Sequence, residues 1–317
     1  MGVGMQEEKN FQIRFSVLNF TLLMQEDVVL PERKEVVIRG GIGDMLLKQY
    51  CIRDAKCDTC DFTDSCIMQN FMYAKYKKKP DFVTTGESMG YVISAEGKKT
   101  SYRQGERLYF SLTLFGNIIA YLNPVVQAVH LLGQCGIGEK RAKYQIEKIQ
   151  NRRGKAILED GSIYYKNYLI ELLGDYVEER KQQIKADYFE QTCKIIFSSP
   201  LAVKYKSEFI KEFDSRAILN SVARRIYMLE CFEGREESEK KFLDCFPVIA
   251  EQKIITYDTQ RYSSRTKQHM PLKGIAGEIK LEQITEEMLD YLLAGEITHI
   301  GKNTRFGFGK YRVTEVG

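Results

Sequence analysis

Hydrophobic and polar positions along the chain fall into two successive runs of elements in the same order. FQIRFSVLNFTLLM (11–24) is apolar and β-rich, and a loop with Pro31 separates it from a helical run, EVVIRGGIGDMLLKQYC (35–51). PDFVTTGESMGYVI (80–93) predicts a strand. In GERLYFSLTLFG (105–116), Leu108, Phe110, Leu112 and Leu114 recur at every second position, the signature of a strand with one buried face. Asn117 is placed to cap the helix NIIAYLNPVVQAVHLLG, and Pro124 inside it predicts a kink or a division. GIGEKRAKYQIEKIQ (136–150) returns to strand.

The second half repeats this order. TCKIIFSSPLAV (192–203) reads as a strand. SEFIKEFDSRAILNSVARRIYMLECF (207–232) reads as an amphipathic helix, with Ile218, Val222, Ile226 and Leu229 on one face. Strands near 251–261 and 274–281 follow, then a helix around TEEMLDYLLAG (285–295) and a last strand, GKYRVTEV (309–316). Both halves spell β-α-β-β-α-β, the ferredoxin-like unit. The fold class expected is therefore α+β, two tandem ferredoxin-like domains at 1–180 and 181–317. They join near 170–190 through the charged stretch GDYVEERKQQIKADY.

The halves share a detail. Between second helix and last strand lie GQCGIGEKRAKY (133–144) and GKNTRFGFGKY (301–311), each with a G-x-G and a Lys-Tyr pair behind it. A dinucleotide fingerprint is excluded, since that G-x-G leads from strand into helix. Two glycine turns in two similar folds would suffice for the first copy. The second mixes Lys302, Arg305 and Lys310 with Phe306, Phe308 and Tyr311, residue kinds suited to a phosphate backbone and its bases.

Composition adds limits. The 317 residues are 44% hydrophobic and 28% charged, ordinary for a globular protein, and the formal net charge of +4 neither demands nor excludes a polyanion. No run of 18 or more apolar residues exists, and no apolar signal core opens the chain, so a cytoplasmic protein is expected. Of eight cysteines, Cys51, Cys57, Cys60 and Cys66 share one window, C-x5-C-x2-C-x5-C, within an insert at 51–80. That spacing suits a structural zinc held by four thiolates, an iron–sulfur cluster, or free thiols. Cys135, Cys193, Cys231 and Cys245 read as small core residues, and YKKKP (76–80) as an exposed linker.

Three stretches together resemble a known family. VVIRGGIGDMLLKQYC with its following cysteines, LYFSLTLFGN with GQCGIGEKRAKY, and RYSSRTKQHMPLKGIAGEI (261–279) with HIGKNTRFGFGKY are similar to the CRISPR-associated endoribonucleases that cut the precursor of CRISPR RNA. These belong to the RAMP superfamily. The resemblance implies metal-free cleavage of a repeat RNA, with no catalytic cofactor. CRISPR repeat RNA is the partner implied; other CRISPR-associated proteins and a homodimer stay open.

Such a reaction needs a base for the 2′-hydroxyl, an acid for the departing 5′-oxygen, and cations for phosphoryl charge. Histidine suits proton transfer near neutrality. His130, on a helix between Val129 and Leu131, reads as a core or helix-end residue. His269, in a basic hairpin-like tip, and His299, at the mouth of the glycine loop, are the catalytic candidates. Many family members carry a histidine near the first helix, but none precedes His130 here, so Arg33 and Lys34 are alternative catalytic cations.

For RNA holding, one segment offers Arg261, Tyr262, Arg265, Lys267 and Lys273. The glycine loop offers Gly301, Lys302, Arg305, Phe306, Gly307, Gly309 and Lys310, and Arg39 stands at the start of the first helix. Two other readings stand beside the nuclease: a RAMP subunit that grips RNA without cutting, and a cysteine-cluster regulatory protein that would leave both basic segments idle.

Overall fold

The computed structural model describes residues 11–73, 76, 80, 90–184, 191–205, 208–235, 243–263 and 268–317. The first lobe contains β1 (Arg14–Met24), α1 (Lys34–Tyr50), β2 (Tyr91–Ala95), β3 (Arg107–Phe115), α2 (Leu122–Cys135) and β4 (Tyr144–Gln150). The sheet runs β2-β3-β1-β4 with every pair antiparallel, the strand order of a ferredoxin-like unit. Short strands at 156–159 and 162–163 extend it beyond β4. The alternation in β3 is what it seemed: Leu108, Phe110, Leu112 and Leu114 are all buried. Phe110 stacks on Phe20 of β1 at 4.5 Å.

A helix not foreseen, α3 (Leu173–Gln183), occupies the charged junction. The second lobe then has β5 (Thr192–Leu201), α4 (Ser215–Glu233), β6 (Val248–Ser263), β7 (Gln268–Glu282), α5 (Glu286–Thr298) and β8 (Tyr311–Val316). Its sheet runs β6-β7-β5-β8, again antiparallel throughout. The two lobes therefore share one topology, and the fold is tandem ferredoxin-like.

Pro124 does divide its helix. Gly116–Tyr121 is a 3-10 turn and the α-helix begins at Leu122, which puts Pro124 in the first turn, where an amide N–H has no intrahelical acceptor. Asn117 lies inside the 3-10 turn and caps nothing, contrary to expectation. The segment Gly116–Cys135 is long and apolar enough to pass for a membrane span by composition, but half of it is buried inside the lobe. α4 starts later than the pattern suggested, because Asp214 caps it by accepting from the Ala217 amide at 2.7 Å.

Cysteine placement splits the core expectation. Cys193 and Cys231 are buried, whereas Cys135 and Cys245 are exposed. The YKKKP stretch is no free linker at its ends: Tyr76 packs edge-on to Phe232 at 6.2 Å and Pro80 is buried, while 77–79 lie outside the described residues.

The lobes are tied by a buried charge network on α3. Arg180 pairs with Glu296 at 2.9 Å, both side chains almost wholly buried, and also donates to the Val313 carbonyl. Tyr176 donates to the same oxygen, Oε2, at 2.5 Å, and the Val313 amide donates to the other, Oε1, at 2.7 Å. Every oxygen of Glu296 is thus satisfied, as a buried carboxylate requires.

Candidate functional site

The glycine loop between α5 and β8 is a closed knot. The Asn303 carbonyl accepts from the amides of Phe306 and Phe308, the Ile300 amide donates to Gly309, and the Gly309 amide donates to Pro200. Gly307 and Gly309 sit at φ of 80° and 72°, in the left-handed region. A Cβ on Gly309 would run into the Ile300 carbonyl, and one on Gly307 would strike the Glu35 carboxylate of the first lobe. Only glycine fits at either position.

That second contact defines the site, because the knot docks on the start of α1 and the end of β2. Arg33 donates from Nη2 to the Gly307 carbonyl at 3.0 Å and lies 5.0 Å over the Phe308 ring. Arg39 lies 4.7 Å over Phe306. Arg305 reaches across to the Met72 carbonyl at 2.7 Å. Lys310 donates to Ser94 Oγ at 3.0 Å, and Ser94 shares a 2.8 Å hydrogen bond with Ser111. Glu35 accepts from the Ala95 amide at 3.3 Å and sits 3.8 Å from Arg33. Two lobes thus contribute Arg33, Arg39, Arg305 and Lys310 to one seam, with Lys302 exposed at its rim.

Several expectations change in this light. Phe306 is only 7% exposed and Phe308 is fully buried, so neither ring can stack on a base. Each is instead a platform for an arginine of the other lobe. Lys34 is fully buried and spends its ammonium on the carbonyls of Glu32, Gly97 and Lys99, holding the 96–100 turn against α1. It is a structural lysine, not a cation facing a substrate. His299 is 4% exposed at φ 51°, and its Nδ1 has no partner. Burial, then the charges of Lys310 and Arg225, hold its pKa well below the ordinary histidine value, so it is neutral near pH 7. Its burial removes it from a polymer's reach. His130 is exposed on α2 and bonds Gln134 at 3.1 Å, so it is not a core residue.

The other basic segment lies on the long β6–β7 hairpin. Tyr262 stands opposite His269 in register and Arg261 opposite Met270, at the outer end. Arg265 and Lys267 lie outside the described residues. Lys273 is exposed and paired with Asp258 at 2.8 Å. Farther in, Lys98 of the first lobe lies 5.6 Å over the Tyr257 ring, so the hairpin meets the first lobe.

Cys51, Cys57, Cys60 and Cys66 are all half-buried free thiols, with Cys51 Sγ accepting from the Ala55 amide. Among the described residues no group of three or more His, Cys, Asp or Glu is gathered to hold a metal. As folded here, the four thiols do not form the tetrahedral shell their spacing suggested. Ser94, Ser199 and Glu35 were missed, because their part in the seam depends on lobe docking, which leaves no periodic mark.

Residues 13–170 match a family model described as an N-terminal domain, and residues 195–311 match the model of the CRISPR-associated endoribonuclease Cas6. The second lobe therefore resembles Cas6, and the whole chain shares the Cas6 fold. Solved Cas6 structures share its fold at low identity. A Cas6 of Thermus thermophilus covers 95% of this chain and 99% of its own at 13% identity, TM-score 0.52. A Cas6 product complex covers 95% and 100% at 15% identity, TM-score 0.51. A chain from a partial Cas6-RT-Cas1–Cas2 complex matches 96% of this chain at 12% identity, TM-score 0.56, but this chain spans only 46% of it. No curated protein matches the chain. Within this Cas6 fold, the seam joins the glycine loop of one lobe to the first helix of the other.

Proposed function

We propose that this protein binds and cuts CRISPR repeat RNA, without a metal in the chemistry. The 2′-hydroxyl attacks the adjacent phosphate and leaves a 2′,3′-cyclic phosphate and a 5′-hydroxyl. The match of residues 195–311 to the Cas6 endoribonuclease model supports the substrate class, and the interlobe cluster of Arg33, Arg39, Arg305 and Lys310 is the single observation that carries the reading. A seam with several guanidinium and ammonium groups and one carboxylate favours a polyanion. Lys302 adds an exposed cation on the same glycine loop. Other CRISPR-associated proteins are proposed partners, a reading supported by the likeness to the Cas6-RT-Cas1–Cas2 chain.

A second reading is favoured by one observation. Of the histidines whose side chains are described, His299 is buried and His130 is on the outer face of α2. On that reading the chain is a RAMP subunit that holds CRISPR RNA and leaves it whole. Incubation with end-labelled CRISPR repeat RNA in EDTA decides between them. The nuclease yields a shortened product with a cyclic phosphate. Tight binding with intact RNA would establish the holding subunit instead.

A further inference from the structure

Among the seam cations, proton chemistry separates Lys310 from the rest. Arginine does not release a proton near neutral pH, which leaves Arg33, Arg39 and Arg305 as charge alone. Lys34 has three acceptors for its three ammonium hydrogens and no exposure. Lys310 spends one, on Ser94, among the described residues, and is partly exposed. Two N–H groups therefore remain for a group arriving from outside.

Its position is fixed from both lobes. The Lys310 amide donates to Ser199 Oγ at 2.8 Å, and its carbonyl accepts from the amides of Ser198 and Ser199 on β5. The Ser94 hydroxyl that receives the ammonium is held in turn by Ser111 on β3. This is a lysine whose head is aimed by a two-hydroxyl relay on the neighbouring sheet.

We propose that Lys310 is the general acid of the cleavage reaction and that Ser94 is its positioning residue. The inference rests on the reading that the chain cuts CRISPR repeat RNA. In the step, the 2′-hydroxyl gives its proton to solvent and its oxygen bonds to phosphorus. The P–O5′ bond breaks with its electron pair on the 5′-oxygen, and that oxygen takes a proton from the Lys310 ammonium. The neutral amine regains a proton from water.

The surroundings make this ammonium a better acid than a free lysine. Burial, the largest influence, lowers its pKa, and Arg312 near the start of β8 lowers it further. Glu96 beyond β2 and Glu35 on α1 oppose that. His299 across the loop is neutral and adds no charge. The active form is the charged one, so activity falls as pH rises through the Lys310 pKa, and this occurs below the ordinary lysine value of 10.5.

The test uses the full chain and a synthetic RNA of the CRISPR repeat from the source genome. A second RNA carries a bridging 5′-sulfur at the bond that the wild type cuts, since a thiolate leaves without needing a proton. Lys310→Ala should slow cleavage of the oxygen substrate by about 10²–10⁴-fold, the usual share of a general acid, and the sulfur substrate by less than about tenfold. Lys310→Arg keeps the charge and should show the same split, without the alkaline fall in rate. Equal slowing of both substrates in both variants would make Lys310 a contact and overturn the proposal alone, as would wild-type rates for Lys310→Arg on oxygen RNA. A wild type that leaves both RNAs intact overturns the nuclease reading and this inference with it.

Discussion

At the scale of residues, one pair of tyrosines explains why the two halves look alike. Tyr144 donates to the Val129 carbonyl of α2 at 2.8 Å, and Tyr311 donates to the Leu292 carbonyl of α5 at 2.6 Å. Each ring lies against a helix glycine, Gly133 and Gly295, where a Cβ would overlap the ring or its hydroxyl. The Lys-Tyr pairs visible in the sequence are thus a repeated clamp between last strand and second helix. Gly295→Ala should cost about 1–3 kcal/mol by overpacking, measured by urea unfolding. Tyr311→Phe should cost about 0.5–1.5 kcal/mol for its hydrogen bond. The double variant should cost less than the sum, because removing the hydroxyl removes the closest overlap and leaves only the milder one with the ring; strict additivity would show that the two do not meet. Glycine and tyrosine were legible as a recurring pattern. What they touch was not, since a hydrogen bond to a helix carbonyl leaves no spacing to read.

At the scale of elements, alternation and helical spacing recovered most core strands and both pairs of helices, because each buries one face against its own lobe. Of the strand expected at 80–93, residues 91–93 lie in β2 and 81–89 lie outside the described residues. Two of the three failures share a cause. Asn117 had a cap's chemistry, but the chain turns as a 3-10 segment there. α3 lacked a strong apolar stripe, and its reason for existing is the Arg180–Glu296 network with the other lobe. The glycine loop was read as a solvent-facing grip, whereas its rings are the docking surface for α1. Contacts between lobes are therefore the part that sequence periodicity cannot carry. The docking itself is testable. Gly307→Ala adds strain at a left-handed φ and a collision with Glu35, and should lower stability by about 1–3 kcal/mol in denaturant unfolding. Glu35→Ala in the same chain should return part of that loss. No recovery would mean that the backbone dihedral alone sets the penalty.

At the scale of the whole molecule, the two lobes meet as a socket and a plug. Phe306 and Phe308 enter from one side, and the arginines that lie on them come from the other. Those guanidinium groups are already seated over the rings before any ligand arrives. A freely rotating arginine would surrender about 0.5–1.5 kcal/mol of side-chain freedom when it settled on a phosphate, and these two have little left to surrender. The expected signature is calorimetric. Phe306→Ala should weaken the association with CRISPR repeat RNA chiefly through a more unfavourable entropy, although the ring itself never meets the nucleic acid. An unchanged entropy would show that Arg39 is no freer without its ring. Where the rings stay in place, the molecule meets its ligand as a rigid mould, and most of the ordering that recognition demands was completed when the chain folded.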